Sequence, residues 1–339
     1  MVSKVVASGE RAGAQGELRV GVIGAGIMGS NHARVLAGLP GTTLVGIVDP
    51  LLEHRTRATE LVGCRAFASL DELLNEGVDA VTIAAPTHLH HEIALTCIAR
   101  NIHIMVEKPI ASSVEEGSEI VAAAARAGVT LMVGHVERFN PAVAAIKQAI
   151  TGEDILSIGI TRVGPFPPRM SNVGVVIDLA VHDIDLIRWF TESDIVEVQP
   201  QLSSAVAERE DIALLQFRTA SGVLAHINTN WLTPFKARNV TVATRGKYVM
   251  GDLLTRQVTE CFGFKPDGSY SMRHLPVGHD EPLRAELIAF LRAVRSGGQP
   301  AVSGDEGVAS LEIAIRCLEN PPKPAASSPP RKGPRRVVG

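Results

Sequence analysis

Three glycines, Gly24, Gly26 and Gly29, stand in the spacing G-x-G-x-x-G between an apolar run (Val20–Ile23) and a stretch with helical spacing (Ile27–Leu39). A strand entering a helix through such a turn can cradle phosphate. Gly24 makes the tight turn, Gly26 lets a pyrophosphate approach the backbone, and Gly29 lets the helix sit close to the strand. Exposed N–H groups and the positive end of the helix dipole then face the phosphates, with Ile27 and Met28 at the head of the helix beside them. About twenty residues on, as this fingerprint requires, the apolar run Thr43–Val48 ends at Asp49. A carboxylate there accepts hydrogen bonds from the adenosine ribose hydroxyls of NAD and repels the 2′-phosphate of NADP. No Arg or Lys follows directly; the next residues are Pro50, Leu51 and Leu52. A solvated loop aspartate is the plain alternative, and the glycines favour the ribose role.

A second set of residues could act on the substrate of such a cofactor. Lys108 closes the apolar run His103–Val106 within Glu107-Lys108-Pro109, and the proline stops a strand from continuing. A single lysine is most often a solvated surface group. At the mouth of a nicotinamide site it could stabilise a developing alkoxide. Further on, VIDLAVHDIDLIRWF sets Asp178 and His182 at i,i+4 on one helix face, with Asp185 a turn beyond. A surface ion pair or a satisfied core histidine would read the same way. The close apolar neighbours (Ile177, Leu179, Val181, Ile184, Leu186) instead suggest a closed interface, where a His held by an aspartate serves as general base near neutrality. The stretch Ala85-Pro86-Thr87-His88-Leu89-His90-His91 has three histidines but no Cys, Asp or second cluster to complete a metal site. It reads as a cofactor-lining turn, through Ala85, Pro86, Thr87 and His90, with Thr87 as a possible helix cap. Glu107 and Lys108 line the same crevice, and no metal is expected.

The elements that must position these residues alternate from Leu18 to about Gly152: short apolar runs and helical segments, hence a parallel sheet with crossover helices. Ligands of such sheets lie outside the carboxyl ends of the strands, where Gly24–Gly29, Asp49, Ala85–His90 and Glu107–Pro109 fall. Beyond Gly152, successive strands without intervening helices predict an α+β domain with a largely antiparallel sheet, interrupted by a helix at Val176–Phe190 and followed by helices at Glu281–Arg295 and Asp305–Leu318. The expected division is a polar flexible extension (residues 1–17), an NAD-binding domain (18–152), a substrate and oligomerisation domain (153–319) and a disordered Pro-rich tail (320–339). A chain of 339 residues with 45% hydrophobic content accommodates two cores. Net charge −3 with mixed signs gives no electrostatic case for nucleic acid or an anionic membrane. Four scattered cysteines fit a reducing cytoplasm, no run reaches the length of a membrane span, and the N-terminus lacks a signal-peptide core.

Taken together, Gly24-x-Gly26-x-x-Gly29, Glu107-Lys108-Pro109 and Asp178-x-x-x-His182-x-x-Asp185, in that order, resemble the glucose–fructose oxidoreductase/inositol dehydrogenase/rhizopine-catabolism (Gfo/Idh/MocA) family over Leu18–Leu318. The resemblance implies a Rossmann domain followed by an open-faced sheet domain, and NAD as cofactor. It also implies Lys108, Asp178 and His182 as the catalytic set, Asp185 near the substrate, and a homodimer or homotetramer. Shorter stretches, Gly134–Pro141, Arg162–Arg169 and Thr229–Pro234, resemble the branch that oxidises C3 of UDP-N-acetylglucosamine. On that reading Arg138 and Arg169 could neutralise a diphosphate, while Asn140, Asn230 and Trp231 could hold a sugar or base. Trp231 equally suits a core. The implied activity is NAD-dependent oxidation of a sugar secondary hydroxyl. An inositol or a hexose, free or phosphorylated, is the alternative substrate, and a non-catalytic NAD-binding regulator the alternative class. Ala180 stands where many relatives have glycine, and both terminal extensions depart from the family pattern.

Overall fold

The computed structural model describes residues 16–167 and 173–319; Arg169, most of the N-terminal extension and the Pro-rich tail lie outside the described residues. Strands β1 (Leu18–Ile23), β2 (Thr42–Val48), β3 (Ala66–Phe67), β4 (Ala80–Ile83), β5 (His103–Glu107) and β6 (Leu131–Gly134) form a six-stranded parallel sheet in the order β3-β2-β1-β4-β5-β6. Helices α1 (Ile27–Ala37), α2 (Leu52–Val62), α3 (Leu70–Asn75), α4 (His90–Ala99) and α5 (Val114–Ala127) make the crossovers. Val22, Ile47, Ile83, Ile104 and Val133 are buried between helices on both faces, which is why these strands are continuous apolar runs rather than alternating ones. Local signals fix the helix ends. In α5 the Ser113 hydroxyl accepts from the Glu116 N–H while the Glu116 carboxylate accepts from the Ser112 N–H, and Gly128 closes the helix in the left-handed conformation.

The strand order reverses between β1 and β4, so a crevice opens beyond their carboxyl ends. Gly24, Asp49, Ala85 and Lys108 all lie just past a strand end on that edge.

The second sheet has eight strands: β7 (Ile155–Pro165), β8 (Ile195–Ser203), β9 (Ile212–Thr219), β10 (Leu224–Asn230), β11 (Leu232–Thr244), β12 (Lys247–Asp252), β13 (Gln257–Phe262) and β14 (Ser271–Leu275), ordered β14-β13-β12-β11-β7-β10-β9-β8. Every pairing is antiparallel except β7 with β10. Strands β12 and β13 are separated by a turn in which Arg256 takes φ 58°. The residues of β14 are mostly exposed, so no hydrophobic alternation marks this edge strand in the sequence. One face of the sheet is covered by α6 (Pro141–Ile150), α7 (Val181–Thr191) and part of α9 (Gly304–Glu319), whose apolar residues share a core with it. The other face leaves Leu214, Leu224, Tyr248 and Met250 exposed.

Two terminal helices tie the halves together. Helix α8 (Pro282–Ser296) follows the second sheet in sequence, yet Leu283, Leu287, Phe290 and Leu291 pack into the core of the first domain. Helix α9 divides its buried face: Leu311 joins the first core, and Ile313, Ala314 and Cys317 join the second. Among the described residues no helix is long and apolar enough to cross a membrane.

Candidate active site

The glycine turn is built as a close fit on one side and an open surface on the other. Gly24 has φ +97°, and a Cβ there would lie 2.6 Å from the Ala84 carbonyl oxygen. A Cβ on Gly29 would lie 1.7 Å from the carbonyl oxygen of Gly24, whereas one on Gly26 would meet nothing within 4 Å. Helix α1 starts there with Gly26 as its N-cap; no side chain caps it and no acidic residue occupies its first turn. Its first N–H groups therefore face open space, as a bound pyrophosphate requires. The turn thus fits a dinucleotide.

Asp49 is buried and holds this turn. Its Oδ2 accepts from the Ala25 N–H at 2.9 Å and lies 3.1 Å from His54 Nδ1, and its Oδ1 accepts from the Leu51 N–H at 2.9 Å. Helix α2 also brings cations to the spot: Arg55 donates to the Asp49 carbonyl oxygen and Arg57 to that of Ala25. Inspection of the residues directly after Asp49 could not reveal them, because they come round only with the first turns of the helix.

Two of the expected cofactor-facing residues are turned inward. His90 is 1% exposed, with Nε2 2.9 Å from the Ala85 carbonyl oxygen and Nδ1 3.0 Å from that of Pro109. It joins two strand-end turns rather than facing the crevice. Glu107 is buried and pairs with His32 Nε2 at 2.9 Å. Burial works against its charge, but His32 and Lys108 outweigh it and hold the carboxyl below its usual range. Beside it, Glu286 of α8 has both carboxyl oxygens buried without a partner among the described residues; burial, with Glu107 nearby, pushes that carboxyl well above the usual range and favours its neutral form. Ala85 and Thr87 stay partly accessible, and Ile27, Met28 and Pro86 are exposed on the crevice side of the sheet.

From the end of β5, Lys108 crosses to the π-helical turn Val176–Ala180 that opens α7. Its Nζ donates to the Asp178 carbonyl oxygen at 2.6 Å and lies 3.3 Å from Asp178 Oδ1. Asp178 therefore holds Lys108, and among the described residues no hydrogen bond joins it to His182. The expected Asp–His pair is corrected accordingly. His182 lies one turn on, with Nδ1 buried and unpartnered among the described residues. Burial first, then the positive charges of Lys108, Arg162 and Arg238, drive its pKa well below the ordinary histidine value. The surroundings therefore favour the neutral ring, which is the form that accepts a proton.

Beneath His182 lies a buried network of charges. Arg162 pairs with Asp183 at 2.7 Å and with Glu137 at 2.8 Å, and Arg238 reaches Glu137 at 2.9 Å. Arg138 makes a two-pronged pair with Asp185 at 2.6 and 2.7 Å and also reaches Glu306 at 2.6 Å. These contacts revise several expected substrate contacts. Arg138 and Asp185 neutralise each other in the interior, so neither is available to a diphosphate or a sugar. Asn140 caps α6, accepting from the Ala142 N–H while donating to the Leu253 carbonyl oxygen. Trp231 is 3% exposed and packs edge-on against Phe166 in the second core. His135 had not been singled out. It lies just beyond β6, 1% exposed, with its ring 6.0 Å from that of His182. The strand-end rule that marked Lys108 would have marked it too.

A six-stranded sheet of this order, an open glycine turn at its switch point, and a lysine beside a neutral histidine define a nicotinamide-dependent dehydrogenase. The chain belongs to the Gfo/Idh/MocA oxidoreductase family: residues 18–135 match its NAD-binding Rossmann fold and residues 163–249 its C-terminal domain. It is 31% identical over 310 residues to UDP-N-acetylglucosamine 3-dehydrogenase of Acidithiobacillus ferrooxidans, covering 89% of this chain and 96% of the relative. A solved structure of that enzyme superposes with TM-score 0.83 at 27% identity, covering 89% and 97% of the two chains. Inositol 2-dehydrogenase of Rubrobacter xylanophilus is 30% identical over 321 residues, covering 89% of this chain and 90% of the relative. The chain is thus an NAD-binding oxidoreductase of a family whose members act on sugars and polyols.

Proposed function

We propose that the protein oxidises a secondary hydroxyl of a nucleotide sugar, C3 of UDP-N-acetylglucosamine, to the 3-keto sugar. The observation that carries this reading is the Lys108 ammonium, held by Asp178 beside a neutral His182 at the switch point of an NAD-binding sheet. NAD, when bound, supplies the acceptor for the hydride leaving the carbinol carbon. The turn Gly24–Gly29, with Asp49 behind it, holds the dinucleotide, and Ala85, Pro86 and Thr87 line its path. His182 takes the hydroxyl proton as the carbonyl forms. Lys108, aimed by Asp178, stabilises the negative charge that develops on that oxygen. The nucleotide-sugar assignment is supported by the Acidithiobacillus relative.

One observation favours a second reading, an uncharged polyol such as an inositol. Arg138 is already paired inside the protein, which leaves a diphosphate to cations such as the partly exposed Arg238. The test is NADH formation with UDP-N-acetylglucosamine, myo-inositol or glucose 6-phosphate, with a carbonyl trap to draw the oxidation forward. Turnover of the nucleotide sugar alone is the expected result. Turnover of inositol or the hexose phosphate alone would replace the substrate and keep the chemistry. NAD binding without turnover of any of the three would point to a regulator. The uncovered face of the second sheet is the surface through which we expect a homodimer or homotetramer to form, and light scattering checks this directly.

A further inference from the structure

Alcohol oxidation leaves a proton on the base, and the surroundings of His182 are poorly suited to keeping it. We propose that His135 receives this proton from His182 and holds it against Asp185, so that the base is returned to its neutral form. The inference rests on the reading of His182 as the base.

The geometry is specific. The two imidazoles meet edge to face with centroids 6.0 Å apart. The Nδ1 atoms of both rings are buried and have no hydrogen-bond partner among the described residues. Each ring thus has a nitrogen free to take part in a proton transfer, and one water with polar partners on both rings would complete the path. The same His135 Nδ1 lies 3.9 Å from Asp185 Oδ2, so a proton received there sits beside that carboxylate.

Charge gives the transfer its direction. His182 is faced by Lys108, Arg162 and Arg238, each of which opposes an imidazolium there. The charged groups facing His135 are Asp185 from α7, Arg138 from the turn after β6, and Lys108 and Glu107 from the end of β5. Asp185 and Glu107 favour a proton on His135, while Arg138 and Lys108 oppose it. Asp185, Arg138 and Glu306 form one connected cluster with a single net negative charge, so a proton on His135 neutralises it. Burial disfavours the charged form of both rings.

The bookkeeping of the step closes. The C–H electron pair leaves the carbinol carbon as hydride, with NAD as the oxidant, and the O–H proton passes to Nε2 of His182. His182 gives its Nδ1 proton through the water to His135 and is left neutral as the Nε2–H tautomer. The products are ketone, NADH and one proton on His135, and release of that proton to solvent with return of His182 to its Nδ1–H tautomer readies it for the next turnover. His135 touches neither substrate nor cofactor in this scheme; it acts through His182.

Two measurements test it. In the first, histidine-selective 15N NMR follows both rings of the NADH complex as pH is lowered. His135 is expected to protonate before His182, and the reverse order overturns the proposal whatever the substrate proves to be. In the second, His135→Phe is compared with the wild type on whichever alcohol the wild type turns over. Expected are a fall in kcat of at least about 10-fold, a larger solvent isotope effect and partial rescue by added imidazole. NADH affinity should stay within about twofold, because no cofactor contact is lost. Turnover of His135→Phe within about twofold of wild type overturns the relay. If this variant does not fold, or no alcohol is turned over, the NMR order alone decides.

Discussion

Substituting alanine at Gly26 and at Gly29, three residues apart, should separate folding from cofactor binding. In Gly29→Ala the new methyl would lie 1.7 Å from the Gly24 carbonyl oxygen and 2.8 Å from its carbon. Ordinary contact begins near 3.4 Å, so α1 must retreat from the turn by roughly 1.5 Å, and backbone cannot swing aside as a side chain can. Overpacking of this kind costs about 1–3 kcal/mol or more, equivalent to a fall in Tm of roughly 2–12 °C at about 2–4 °C per kcal/mol. In Gly26→Ala nothing lies within 4 Å of the methyl, and φ −65°, ψ −167° is open to any residue. A poorer N-cap costs about 0.5–1 kcal/mol, and reduced freedom of the unfolded chain returns about 0.4–1 kcal/mol. Its Tm should therefore stay within about 2 °C of wild type. Its methyl would nevertheless stand where the pyrophosphate approaches, so NADH affinity should fall at least about 10-fold, or ~1.4 kcal/mol. Calorimetry and NADH fluorescence titration read the two quantities independently. A Gly26→Ala protein that binds NADH as wild type does would refute the placement of the pyrophosphate on the open side of the turn. An unchanged Tm for Gly29→Ala would refute the close contact.

Asp49→Ala removes the acceptor for the Ala25 and Leu51 N–H groups and, on our reading, for the ribose. NADH should bind more weakly and its advantage over NADPH should narrow; fluorescence titrations with both cofactors decide. Arg138→Leu strands the buried Asp185 carboxylate and should lower stability by about 3–5 kcal/mol in urea unfolding. A stable variant with only a raised KM would return Arg138 to the substrate site. Burial holds the imidazoles of His90, His135 and His182 below their ordinary pKa in the folded protein. Below about pH 6.5 the unfolded chain then binds more protons than the folded one. Stability should be full above that value and fall as the pH drops from there towards 5, which Tm measured across this range will show.

Residues whose placement depends on near neighbours were legible in the sequence. Gly24, Gly26 and Gly29 act within one turn, and Asp49 and Lys108 each close an apolar strand, so pattern and position sufficed. Helix α7 was equally plain, but its partners were not. The i,i+4 spacing of Asp178 and His182 cannot show that a lysine seventy positions earlier will claim the aspartate. Arg138 read as a cation awaiting a phosphate because its real partners, Asp185 and Glu306, come from α7 and α9 far along the chain. Asn140 was legible in a different sense: an Asn before a proline that opens a helix is a capping signal, and the structure uses it that way. The return of α8 to the first core is a matter of which apolar surface a helix finds, and an amphipathic pattern specifies a face without its partner.

The residues hidden from the sequence explain how the legible ones are held in place. Asp183 and Asp185 follow His182 on α7, both buried, and each is bound by an arginine from a different part of the chain. Asp183 is bound by Arg162 of β7, in the second sheet, and Asp185 by Arg138, from the turn after β6 of the first sheet. Removing a partner from either pair would leave an uncompensated buried charge, so each fixes α7 against one half of the molecule. Lys108 reaches Asp178 from the first sheet, and α7 rests on the core of the second. The Lys108–Asp178 contact and the position of His182 therefore depend on both ion pairs being closed together. Arg162 and Arg238, needed to balance Glu137 and Asp183, also stand close enough to His182 to disfavour its protonation. One set of buried charges thus positions the helix and keeps its histidine neutral, and neutrality is the state a proton acceptor needs before the hydride leaves.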